Sequence, residues 1–464
     1  MENVINKKFF FLIILFTIFL NLTNFYSIEK KYNKFDNLNT EHKIVKGEIL
    51  KYWKSAHKSD TKTFQINDRY RNAYLYPKFL YFLSKIFNFD FYDNYQKVSL
   101  DPKIYIFLVQ YLIFLLSVIF FYKVCSKNLD LNHLKIFIII LLLDPNLNQH
   151  HYALFTESIF ISLLLLNTSI FIHFIFTEGK LIKFLFLKLI LMGVLLGLMF
   201  LTRSVSIYYI FVIVLLFLFL KKYFYTVPLI LGYMSIIIFI GLNNIVVNDK
   251  FRITPTQGGD ALYGYLAADI YAYKNNLSIS EVRKLFFIEN VSNFLGMQEE
   301  EFREKTSNFT MQDIIKINEF KSEKAIEVIF DDLFASSKII VFHYSKSLFI
   351  YPFWVKNFYK KNYIPRDEYD ETNVNLSFQN QLRIIYSIIF YMLVLFGLYL
   401  SIKKLNWKLN CLIFFTAGYY FVISGFAGNP RYFLPSYVIL CFYLALSLNY
   451  FFLKMLIFKN NKIK

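Results

Sequence analysis

The sequence predicts an all-α protein that crosses a membrane about ten times, and three observations predict it. Of its 464 residues 56% are hydrophobic, and the mean hydropathy is +0.41. The apolar residues are gathered into runs of about 17–25, the length a helix needs to span a hydrocarbon core. Several runs are apolar on every side, which suits burial in lipid and not packing one face onto a soluble core.

In chain order, spans are expected near 9–27, 104–122, 134–147, 155–176, 184–201, 205–220, 224–246, 386–402, 409–425 and 433–453. The first could serve as a secretory signal, because Lys7 and Lys8 precede an apolar run, but no small-residue cleavage site follows at Asn21–Ser27. It reads as an uncleaved helix. The stretch 337–354 is also apolar, yet its two lysines and a histidine suit a helix lying on the membrane surface better than a span.

Charge gives the orientation. With an even number of spans, the termini and alternate short loops share one side. That side holds seventeen lysines against Glu2, Asp130 and Glu178, a net of +14 out of a formal total of +18. By the positive-inside rule it is the cytoplasm. The high pI is thus a topological signature, and no nucleic acid is expected as a partner, since that would call for a basic stripe on a folded surface. Arginine is distributed differently. Arg69, Arg71, Arg203, Arg252, Arg283, Arg303, Arg366, Arg383 and Arg431 all fall on the outer side. The planar guanidinium grips phosphate oxygens in pairs, where lysine offers a point charge. Cys125, Cys411 and Cys441 lie in cytoplasmic or helical stretches, so no disulfide framework or cysteine metal site is expected outside.

Between the spans, two outer segments stand out. Within the first, 28–103, residues 45–57 place Ile49, Leu50, Trp53 and Ala56 at helical spacing with lysines between them, an interfacial helix. Residues 74–88 make a second, with Pro77 in its opening turn. The second segment, 247–385, reads as a helical cap. Ser278 with Glu281, and Thr310 with Asp313, fit capping boxes. The Gly pair before Asp260 suits a turn into a helix. The chain then divides into 1–246, 247–385 and 386–464.

Four local patterns resemble the C-type (GT-C) glycosyltransferases, in particular the protein O-mannosyltransferases, the aminoarabinose transferases and their bacterial homologues. They are Gly47-Glu48-xxx-Tyr52-xxx-Ala56 after the first helix, Thr156-Glu157-Ser158-Ile159-Phe160, Gly193-xxx-Gly197-xxxx-Thr202-Arg203, and Arg431-Tyr432-Phe433-Leu434-Pro435. The likeness covers about 1–246 well and the rest loosely. It implies a seven-helix GT-C module with a catalytic first outer loop. It also implies inverting transfer of a sugar from a polyprenyl-phosphate carrier to an acceptor glycolipid, glycan or protein. The site would face the periplasm of a bacterial inner membrane, with both termini cytoplasmic and membrane lipids around it. Where the family has aspartate this chain has Glu48, one methylene longer.

Such chemistry asks for a carboxylate to take the acceptor proton and cations to stabilise the departing lipid phosphate. Glu48 is the candidate base and Asp36 the fallback, with Asp60 and Asp68 behind it; an ordinary helix-start glutamate would look the same as Glu48. Tyr52, Arg69, Arg71, Lys78, Glu157, Arg203, Asp260 and Arg431 are the candidates for binding substrate. Arg203 and Arg431 sit at outer helix ends, where snorkelling to water alone would make them tolerable. Glu157 lies just inside an apolar span with no cation beside it in sequence, so it needs a partner from another helix. His150 and His151 are adjacent and point apart on a helix, with no carboxylate at ligand spacing, so no metal is expected; nor is any other cofactor. An O-antigen-type polymerase or ligase is one alternative. A transporter or flippase of lipid-linked sugars is another; it predicts midplane charges, broken helices and repeat symmetry, whereas the sequence shows no symmetry and its span acids, Asp144 and Glu157, lie near outer ends.

Overall fold

A computed structural model of the chain describes residues 11–26, 74–89, 100–152, 155–176, 184–248, 251, 253, 262–305, 309, 311–348, 378–427 and 430–462. Every regular element among them is helical. The bundle consists of α1 (Phe11–Tyr26), α2 (Leu75–Phe87), α3 (Leu100–Cys125), α4 (Leu131–Leu143), the short α5 (Pro145–Tyr152), α6 (Glu157–Phe176), α7 (Leu185–Thr202), α8 (Tyr209–Phe219) and α9 (Tyr223–Asn248). The cap follows, with α10 (Ala268–Asn275), α11 (Ile279–Lys284), α12 (Asn290–Phe294), α13 (Glu299–Lys305), α14 (Met311–Asp331) and α15 (Leu333–Leu348). Three further bundle helices close the chain: α16 (Phe378–Lys404), α17 (Trp407–Ala427) and α18 (Pro430–Lys462).

Seven helices among the described residues are long and apolar enough to cross a membrane, within α3, α6, α7, α9, α16, α17 and α18. Three shorter apolar helices, Phe11–Tyr26, Leu131–Leu143 and Ser204–Phe219, accompany them. The chain is built as a multi-pass membrane protein. One expected span is cut short. The apolar run 134–147 ends as a helix at Leu143, because Pro145 cannot continue it and pushes Asp144 into extended backbone (φ −65°, ψ 119°). The Asp144 carboxylate then caps α5 by accepting the Leu147 N–H at 2.9 Å.

α6 is the axis of the bundle. Sixteen of its twenty residues are buried, with α3 on one side and α7 on the other. α7 and α9 approach closely because glycine removes the side chains between them. A Cβ on Gly193 would lie 2.1 Å from the Leu229 carbonyl oxygen, and one on Gly232 equally near the Ile190 oxygen. Gly197 is pressed against Ile236. The Gly193-xxx-Gly197 spacing is therefore a helix-packing device. At the end of the bundle where α4 begins, Asp130 accepts from the His133 N–H at 3.0 Å and from Asn449 Nδ2 at 2.9 Å, tying α4 to α18.

The interfacial helix expected at 74–88 is α2, which ends on Asn88 in a left-handed conformation (φ 51°). Its companion at 45–57 lies outside the described residues. In the cap, Tyr263, Phe286, Val282 and Ala325 form a small core, and the Ser278–Glu281 capping box is complete. Of the second box, Asp313 opens α14, whereas Thr310 is outside the described residues. The helix expected at 337–354 starts earlier, as α15, and its last turns lie against α17.

Candidate functional site at one end of the bundle

Three charged side chains meet where α6 and α18 begin and α7 ends. Glu157, the first residue of α6, is fully buried. It accepts from Arg203 Nη1 at 3.0 Å, from Arg431 Nε, and from Arg431 Nη2 at 2.9 Å. Thr156 Oγ1 adds a hydrogen bond to the same carboxylate at 3.2 Å. Arg203 is 7% exposed and Arg431 20%.

Local sequence explains how each is held. A carboxylate at a helix N-terminus and a cation at a C-terminus both suit the helix dipole. Glu157 opens α6 and Arg203 closes α7, so two of the three charges are favoured where they stand. Arg203 leaves the helix in extended backbone (φ −146°, ψ 119°), and its carbonyl accepts from Ser206, whose 3₁₀ turn leads into α8. Arg431 is in the first turn of α18, just after Pro430, where the dipole opposes a cation. Its pairing with Glu157 offsets that cost. Aromatic faces complete the nest. The Arg203 guanidinium lies over Tyr432 (5.1 Å) and Phe160 (5.8 Å), and that of Arg431 over Phe155 (4.1 Å).

Beside the charges runs a polar chain across four helices. Tyr76 of α2 donates to Gln110 Oε1 at 2.6 Å, and Gln110 Nε2 donates to the His151 carbonyl at 3.0 Å. His151 Nδ1 meets Ser158 Oγ at 2.8 Å, next to Glu157. The chain fixes α2 to the wall of the cluster. His151 Nε2 and His150 Nδ1 are buried with no hydrogen-bond partner among the described residues. Burial, with Arg203 adding repulsion, pushes the His150 imidazole down to about 3, so at neutral pH it is uncharged. Among the described residues no group of three His, Cys, Asp or Glu side chains could hold a metal ion.

No known protein family, curated protein or solved structure matches this chain.

The site's chemistry is therefore read from its own side chains. The Glu157 carboxylate, engaged by both guanidiniums, positions the arginines. Two largely buried guanidiniums held on aromatic faces are suited to an anion of oxygen atoms. Of the residues singled out from sequence, Glu157, Arg203 and Arg431 are brought together, and Lys78 is half-buried on α2. Glu48, Asp36, Tyr52, Arg69, Arg71 and Asp260 lie outside the described residues, as do Asp60 and Asp68. Sequence reasoning missed the Tyr76–Gln110–His151–Ser158 chain, of whose members only Ser158 falls in a quoted pattern. It also missed Lys103, only 6% exposed in the first turn of α3, and the bond from Tyr437 to Asp144, which joins α18 to the turn between α4 and α5. Lysine within an apolar helix was the available signal for Lys103.

Proposed function

We propose that the chain is a membrane glycosyltransferase of the C type, moving a sugar with inversion from a polyprenyl-phosphate carrier to an envelope acceptor. The acceptor is a glycolipid, a glycan or a protein. The observation that carries this reading is the meeting of Glu157, Arg203 and Arg431. Three of the four patterns that resemble the family, far apart in sequence, contribute one residue each to a single buried cluster at a helix-bundle end. A chance set of motifs has no reason to converge.

In this reading the chain spans a bacterial inner membrane ten times, with both termini cytoplasmic, and the cluster faces the periplasm. The acceptor hydroxyl oxygen attacks the anomeric carbon from the face opposite the carrier. The carbon–oxygen bond to phosphate breaks, and the bonding pair leaves with the polyprenyl phosphate. Arg203 and Arg431, aimed by Glu157, stabilise that charge, and Arg69 and Arg71 hold the carrier before the step. The acceptor proton passes to Glu48, with Asp36 as the second candidate. The fixed, water-poor setting of the arginines makes their contribution large, because no solvent must reorganise as charge develops.

Sugar transfer from a synthetic polyprenyl-phosphate sugar by the purified chain is the direct test. Glu48→Gln is expected to lower turnover by about 10²–10⁴-fold, the range of a lost general base, with the melting temperature unchanged. Near-normal turnover by that variant would pass the role to Asp36, tested likewise with Asp36→Asn. Absence of any transfer by the parent chain, with envelope glycolipids unaltered by mass spectrometry when the gene is deleted, would refute the reading.

A further inference from the structure

The cap changes the character of its surface part-way along. On α14 the exposed side chains Gln312, Lys316, Glu319, Glu323, Lys324 and Glu327 are charged or polar, with Ile326, 50% exposed, the exception. From there they turn apolar. Phe330 is 69% exposed, Leu333 64%, Phe334 78% and Val341 67%, with Phe342 beside them. A helix facing water buries its apolar stripe and shows its polar one. α15 buries Ala335, Ser336, Ile339, His343 and Ser347 against the protein and shows Leu333, Phe334, Val341 and Phe342 outward. Large apolar groups make up most of that face, with Ser337 and Lys338 exposed among them.

The neighbours of α15 indicate what meets that face. Tyr344 donates to the Val422 carbonyl at 2.7 Å and packs between Phe421 and Phe426, while Ser347 bonds the Ser424 carbonyl. Tyr391 of α16 reaches the Leu348 carbonyl at 2.8 Å. The helix is thus seated on the ends of two membrane-length helices. Val422, Phe426, Ile388 and Ile389, on those helices, are themselves outward and apolar. Large apolar side chains are thus exposed both on these spans and on α15, which packs against them. Two cations accompany α15: Lys338 donates to Tyr273 at 2.5 Å, and Lys346 covers the Phe342 ring at 4.0 Å. At the corner between α14 and α15, the exposed Asp331 is matched by Lys274.

We infer that the α14–α15 corner and the outward face of α15 are immersed in the bilayer, with acyl chains against Phe330, Leu333, Phe334 and Val341 and lipid phosphates against Lys338 and Lys346. The boundary with water passes at the corner, where the exposed Asp331–Lys274 pair sits at the headgroup level and the charged face of α14 lies beyond it. The cap is then a wall of the bundle at the lipid interface as well as a cover over its end. This inference is independent of the proposed transferase activity, and it concerns residues that no family pattern touches. An interfacial helix of this kind sinks its apolar face about 5–10 Å below the headgroup level.

The test uses the full chain in vesicles of phosphatidylcholine and phosphatidylglycerol. Phe334→Trp and Val341→Trp probe the face, and Lys316→Trp on the charged side of α14 is the water-facing control. Each is measured as the emission added to that of the parent chain, whose own three tryptophans form a common background. All three positions are exposed, so an indole fits without repacking. Lipids brominated along the acyl chain are expected to lower the added emission of Phe334→Trp and Val341→Trp by about twofold or more at that depth, with iodide having little effect. Lys316→Trp is expected to show the reverse. Iodide quenching without bromolipid quenching at 334 and 341 would mean water there and overturn the inference. Quenching by neither would mean protein covers the face, from residues 349–377 or from a partner, and would overturn it equally.

Discussion

Glu157 carries the account at the level of single residues. An ionised carboxylate inside an apolar span is costly unless paired, so the sequence alone demanded a partner from another helix. The partners themselves were less legible. Arg203 and Arg431 stand 46 and 274 residues away, and only the folded chain brings them within hydrogen-bond reach. Removing the carboxylate leaves two largely buried guanidiniums without their shared counter-charge. Glu157→Gln is therefore expected to cost about 3–5 kcal/mol of stability, the range for a broken buried pair, read as a lowered melting temperature in detergent. Arg203→Lys keeps the charge and loses the planar fork; sugar transfer should fall by about 10²-fold while the carrier still binds measurably. His150 adds a pH dependence. Its folded value, about 3, lies below the ordinary histidine value, so the unfolded chain binds more protons between the two. Its contribution to stability is fully present above about pH 6.5 and is lost as the pH falls toward 3. His151, held at about 3 by burial, acts in the same direction. A melting temperature that stays level from pH 7 to pH 5 in the parent chain would contradict this.

Elements were read with uneven success, and the reasons are physical. Long apolar runs announce helices through composition alone, so all ten expected apolar segments among the described residues are helical. Their ends obey local chemistry that composition hides. Asp144-Pro145 stops one helix and caps the next, though hydropathy continues straight across it. The Gly193-xxx-Gly197 pattern was read through its resemblance to a family, yet its glycines serve the contact between α7 and α9. Replacing Gly232 with leucine must separate two backbones, because the added Cβ already meets the Ile190 carbonyl at 2.1 Å. Gly232→Leu is expected to abolish stable expression of the chain, whereas leucine at Gly418, whose Cβ position is open, should leave expression intact. Equal yields of the two variants would show that the approach of α7 and α9 is not set by glycine. The cap boundary at Ser278 was legible because a capping box is a four-residue signal with its own hydrogen bonds.

At the scale of the whole molecule, charge and chemistry are assigned to opposite ends. Lysines crowd the loops at one end of the bundle, and the Glu157 cluster lies at the other. The proposed orientation, from the positive-inside rule, puts the lysine end in the cytoplasm. A green fluorescent protein fused after Lys464 should accordingly fluoresce, and alkaline phosphatase at the same point should be inactive; active phosphatase there would invert the orientation. The candidate site was half legible. Its arginines and glutamate carried motifs, but the polar chain from Tyr76 to Ser158 has no pattern in one dimension, and the proposed base, Glu48, lies outside the described residues. What the folded chain adds is convergence. The measurement that bears most directly on it is the affinity of polyprenyl phosphate for the chain in nanodiscs, compared with Arg203→Gln and Arg431→Gln, each first checked for an intact melting transition. A loss of about tenfold or more in each variant is expected. Unchanged affinity in both folded variants would contradict the claim that this charge cluster receives a lipid phosphate.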